Sequence, residues 1–90
     1  MKETIKETEK ILKALANRRR LAIIKYLNKT KTASVGDISK EIKLSFKATS
    51  KHLSVLYSAD IVEREQIGMT MIYKLSNPLH SVLKSIIPFI

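Results

Sequence analysis

The 90-residue sequence has no cysteine and no tryptophan. Without thiols it can form no disulfide, no thiolate metal site and no cysteine nucleophile. Only two glycines and two prolines are present, so no flexible Gly/Pro linker divides the chain. No apolar run approaches the roughly 20 residues needed to span a bilayer. The N-terminus also lacks the apolar stretch of a signal peptide. These absences predict a soluble cytoplasmic protein with no membrane partner. Aromatic residues are few, two Phe and three Tyr. A small core with so little aromatic area predicts apolar surface buried against a second subunit. Two histidines and eight scattered acids form no paired-carboxylate, phosphate-loop or triad pattern, so no enzyme is expected.

Acids are the other scarce class: eight against 17 Lys and Arg, a net charge of +9. The leading partner is therefore a polyanion. The excess is uneven. Residues 1–31 hold ten cations and three acids, residues 32–59 four and two, and residues 60–90 three and three.

The chain reads as one domain, 1–90, mostly α with a β-hairpin. Thr4-Ile5-Lys6-Glu7 has capping-box form and opens a helix over 4–15, with Ile5, Thr8, Ile11, Leu12 and Leu15 at helical spacing. Asn17 caps a second helix over 18–28, and Ser34 to Asp37 open a third over 35–42. Ser45 begins a fourth over 45–59, and Asp60 accepts the left-handed conformation of its exit. From Ile61 the period becomes two. A hairpin over 61–75 turns at Gly68, and a short third strand is expected near Lys31 to Ala33. Asn77-Pro78 predicts a last helix over 78–87.

The fourth helix carries the informative face. At about 100° per residue, Ala48, His52, Val55, Leu56 and Ala59 cluster on one side, flanked by Leu53 and Thr49. Opposite lie Lys47, Ser50, Lys51, Ser54 and Ser58, with Phe46 and Tyr57 along one margin. No acid stands between Glu41 and Asp60. A merely solvated helix mixes signs to gain i,i+4 pairs, and this one does not. Small hydroxyls permit close approach to a DNA major groove, and lysines reach phosphates or guanine edges. Phe46 either touches a thymine methyl or packs under the preceding turn. His52 is either a structural histidine bonded to a backbone carbonyl or a phosphate contact. Arg18-Arg19-Arg20 opposes the second helix's dipole. The run is read either as a solvated turn with a salt bridge or as a contact with backbone phosphate.

The stretches Leu12–Leu27 and Val35–Ser76, above all "LSFKATSKHLSVLYSADIV", resemble the ArsR-type winged helix-turn-helix regulators. Against the pattern Leu-Ser-x-x-x-Val-Ser-x-His-Leu-x-x-Leu-x-x-Ala-Gly-Leu-Val, the chain departs with Thr49 for Val and Asp60 for Gly. The resemblance implies a winged fold with residues 38–59 as helix-turn-helix and 63–75 as wing. It places Phe46, Lys47, Ser50 and Lys51 on the groove-facing side, and together with the residue reading above the expected DNA-binding set is Ser45, Phe46, Lys47, Thr49, Ser50, Lys51 and Ser54, joined by Arg18 and Arg19. It further implies a homodimer through the terminal helices, with Ile5, Leu12, Leu79, Val82, Leu83 and Ile86 at the interface. The apolar C-terminal stretch otherwise folds back on its own core.

Many relatives sense metals through a Cys pair or through His and acid clusters. This chain has no Cys, and His80 is the one candidate ligand on the last helix, so no metal and no cofactor are expected. The wing tip, Gln66 to Thr70, has no cation and is expected to add little affinity. The expected function is a sequence-specific, DNA-binding dimeric repressor reading an inverted repeat in double-stranded DNA. Its effector is not identified. A non-specific architectural DNA-coating protein and a winged protein-interaction module are the alternatives.

Overall fold

A computed structural model describes residues 4–90. The order is α1 (Ile5–Leu15), α2 (Arg18–Thr30), β1 (Ala33–Ser34), α3 (Val35–Ile42), α4 (Phe46–Ser58), β2 (Val62–Ile67), β3 (Thr70–Leu75) and α5 (Ser81–Ile86), then a 3-10 turn over Ile87–Phe89. All five α-helices begin at side-chain caps that satisfy otherwise orphaned N–H groups. Thr4 and Glu7 form the full reciprocal capping box. Asn17 Oδ1 accepts from the N–H groups of both Arg19 and Arg20. Ser34 and Ser45 accept from Asp37 and Ala48, each at 3.1 Å.

Helix exits use positive φ without glycine: Lys31 at 74°, Lys43 at 56° and Asp60 at 58°. Lys43 is the turn between α3 and α4. Its N–H returns to Lys40 O, while Leu44 N–H donates to Ser39 O. Asp60 reverses the chain out of α4, and the Ser76 hydroxyl braces its carbonyl at 2.8 Å.

The sheet is antiparallel, ordered β1-β3-β2. Ala33 pairs with Tyr73, and β2 runs beside β3 from Val62↔Leu75 to Ile67↔Thr70. The loop is thus Gly68-Met69, with Gly68 at φ +64°, as the mirror-image hairpin turns require at their first position. The third strand falls at Ala33–Ser34, slightly beyond its expected place.

Ile23, Ile24, Leu27, Ile38, Leu53, Leu56, Ile61 and Leu83 form the fully buried centre. Each such side chain stabilises the fold by about 1.5–3 kcal/mol through burial. Val55, expected on the apolar side of α4, is instead 40% exposed.

The C-terminal helix differs from the expectation of 78–87. Asn77 does not cap it. The Asn77 N–H donates to Glu63 Oε2 at 3.1 Å, which ties the residue to the base of the hairpin. The Asn77-Pro78 peptide is cis, and α5 starts only at Ser81, with His80 as N-cap. His80 Nδ1 accepts from Val82 N–H at 3.1 Å. Pro88 has no N–H with which to continue the α pattern, and the chain tightens into the 3-10 turn.

Candidate nucleic-acid interface

Helix α4 presents one acid-free arc. Ser45, Phe46, Lys47, Lys51, Ser54 and Ser58 are exposed, and Ser50 is half-buried. Phe46 is 64% exposed. It does not pack under the preceding turn, which leaves it free for an apolar contact such as a thymine methyl. Ser45 uses one lone pair of its hydroxyl as acceptor for the helix cap, so the hydroxyl proton and a second lone pair remain.

Thr49 is a correction. It is fully buried, and neither its hydroxyl nor that of Ser39 has a partner. The residue lies on the core flank shared with Leu53 and Leu56, so it is not available to DNA. The polar type drew it into the reading set, but its angle on the helix places it inside.

The arginines at the start of α2 are used within the fold. Arg19 donates to Ile42 O, the last carbonyl of α3, at 3.0 Å. Arg20 Nε donates to Ala14 O at 2.6 Å, and a second nitrogen reaches Lys13 O at 3.3 Å. These carbonyls are the negative ends of α3 and α1, where a cation is stabilised. Two of the three cations that oppose the α2 dipole are thus balanced by two neighbouring helices. Arg18 stays exposed, as does the residue surface of Arg19.

His52 joins this cluster. Its Nδ1 lies 3.2 Å from an Arg20 guanidinium nitrogen. Arginine only donates, so Nδ1 accepts and the ring proton sits on Nε2. Burial first, then the charges of Arg20 and Arg19, push the His52 pKa below its ordinary value. His52 Nδ1 is thus engaged within the fold, with a guanidinium and not a backbone carbonyl as its partner.

On the other flank of α4 stands the wing. The Arg64 guanidinium lies 3.8 Å from the centre of the Tyr57 ring. This cation–π contact ties β2 to the last turn of α4. The tip exposes Ile67 and Met69 and carries no charge.

The terminal segments divide in two. Ile5 is 91% and Leu12 51% exposed, beside a shallow hollow of about 550 Å³ on α1 that also includes Thr8 and Ala16. Leu79, Val82 and Ile86 are half-buried against the core. Leu83 is another correction. It is fully buried in its own protomer and has no surface left to offer a partner. Phe89, which was not singled out in the interface set, is 86% exposed. The apolar C-terminus thus folds back onto its own core at Leu83 and leaves Phe89 exposed.

Among the described residues, no three His, Cys, Asp or Glu side chains stand close enough to hold a metal, and no helix is long and apolar enough to cross a membrane.

Residues 17–64, just over half the chain, match the model of the family described as bacterial regulatory protein, arsR family. The transcriptional activator HlyU of Vibrio cholerae serotype O1 is 39% identical over 67 residues, covering 74% of this chain and 61% of HlyU. The matched region thus spans less than two thirds of that relative's length. The solved structure of HlyU from Vibrio cholerae N16961 superposes with a TM-score of 0.81 at 32% identity, covering 99% of this chain and 92% of the other. The transcriptional repressor PagR of Bacillus anthracis gives 0.78 at 27%, covering 94% and 93%. The superposition on HlyU takes in nearly the whole chain, and the chain belongs to the arsR family of bacterial regulatory proteins.

Proposed function

We propose that the chain is a sequence-specific DNA-binding transcriptional regulator that acts in the cytoplasm as a homodimer, with α4 in the major groove. The observation that carries this reading is the exposed face of α4: Lys47 and Lys51 with Ser50 and Ser54, and no acid within the helix. The lysines supply phosphate affinity, the serines allow close approach to base edges, and Phe46 offers an apolar contact. Exposed Ile5 and Leu12 supply one half of a dimer seam, and Val82, Ile86 and Phe89 supply apolar surface at the other end of the chain. Two reading helices in such a dimer enter successive major grooves about 34 Å apart, which suits an inverted repeat. Relatives act in both directions: HlyU is named an activator and PagR a repressor. Occlusion of a promoter needs nothing beyond the DNA-bound dimer, so repression is the direction proposed.

Selection of bound sequences from random DNA, followed by footprinting, tests the reading. A protected inverted repeat bound about 10³-fold or more over random DNA is the expected result. A preference below about tenfold overturns it in favour of a general DNA-coating protein. The S50A/K51A variant should lose most of that preference while remaining folded.

A further inference from the structure

The reading face of α4 has two flanks, and they differ in charge. The wing flank ends in Ile67, Gly68 and Met69, which are uncharged. The opposite flank meets α1 across an open groove of about 440 Å³. Lys10 and Lys13 of α1 line it, with Arg20 at its end, Ser54 and Ser58 along α4, and Val55 between them. No carboxylate is among the lining residues.

From this asymmetry we propose that a strand of the DNA backbone lies in the α1–α4 groove, with its phosphates held by Lys10 and Lys13 and by the hydroxyls of Ser54 and Ser58. The inference rests on the DNA-binding reading and deepens it by naming where the phosphate grip lies. Ser54 belongs both to the exposed α4 arc and to the groove, so the two surfaces are continuous. A duplex seated on α4 therefore reaches the groove without any movement of the protein. Arg20 is committed to Ala14 O, Lys13 O and His52, so it contributes charge to the groove wall and not a direct contact.

Three acids stand near the grip. Lys13 pairs with Glu9 at 3.7 Å, but both side chains are largely exposed, and such a pair is worth little and yields to a phosphate. Lys10 also borders a neighbouring hollow that contains Glu7 and Asp60. Lys10 is in no ion pair among the described residues, so its ammonium is available to either side.

The salt dependence of binding to a mixed-sequence duplex tests the proposal, because each phosphate neutralised adds about 0.9 to the slope of log K against log salt. The K10A/K13A variant should lower that slope by about 1.8 per bound protomer. K10R/K13R should keep the parental slope, and K25A/K29A, which removes two exposed cations of α2, should also leave it unchanged. A K10A/K13A slope within about 0.5 of the parent's overturns the proposal. So does an equal fall in K25A/K29A, which would assign the effect to net charge and not to the groove. If the parent protein binds no duplex at about 50 mM salt, the DNA-binding reading itself fails, and the inference falls with it.

Discussion

Arg20 holds His52 from below: the guanidinium lies 3.2 Å from the imidazole Nδ1 while its other nitrogens reach the carbonyl end of α1. This arrangement needs a neutral imidazole. The folded-state pKa of His52 is depressed below its ordinary value, so the unfolded chain takes up the proton first as pH falls. The resulting stability is complete above about pH 6.5 and is lost as pH drops through the lower folded value. Urea midpoints should fall between pH 7.5 and pH 5 for the parent protein and fall less for H52Q. An identical pH dependence in the two proteins would remove His52 from the account.

Thr49 buries a hydroxyl without a partner. An unsatisfied buried hydroxyl costs roughly 1–3 kcal/mol, and valine has nearly the same shape. T49V should therefore raise stability by about 1 kcal/mol in chemical denaturation. Its DNA affinity should equal the parent's, because the side chain faces the core. A loss of stability would mean that the hydroxyl has a partner the geometry does not reveal.

Leu83 and Leu12 separate the core from the proposed dimer seam. L83A should cost about 2–5 kcal/mol, the range for a fully buried leucine. L12D should leave the secondary structure intact and shift the mass measured by light scattering from dimer to monomer. A fully dimeric L12D would place the seam away from α1.

Tyr57 tethers the wing. At an exposed site a cation–π contact contributes about 0.5–1 kcal/mol. Y57L should lose about that much stability, and amide exchange should rise in Val62–Ile67 more than in α2. Unchanged exchange in β2 would mean that the strand pairing alone positions the wing.

The parts of this architecture that were legible in the sequence are local. Caps at Thr4, Asn17, Ser34 and Ser45 depend on residues three apart, and α1 through α4 begin where those signals stand. The Asp60 exit and the Gly68 turn were readable for the same reason, since a backbone conformation selects its residue type.

What escaped is long-range. Asn77-Pro78 carries a strong helix-start signal, but the Asn77 N–H is tied to Glu63, fourteen positions earlier, and the cap falls to His80. The Arg20–His52 contact spans 32 positions, and no spacing rule reaches that far. Thr49 stands on the flank of the apolar side, and its polar type set it in the reading face, while the packed chain buries that flank completely. Leu83 and Ile86 share one apolar pattern, and only the packed chain distinguishes the fully buried residue from the half-exposed one.

Gly68 sits at φ +64°, and a Cβ added there would have nothing within 4 Å. Backbone preference is thus the sole local constraint on that position. A side chain there is strained by about 1–2 kcal/mol although the space is open. The rest of the wing tip can be rewritten at exposed Met69 without disturbing the packed helices behind it. A cation introduced at Met69, which is fully exposed, would give the hairpin the charge it lacks. The fold thus keeps an interchangeable fingertip on a fixed hand: the groove-reading helix can stay the same while the reach of the hairpin beside it changes.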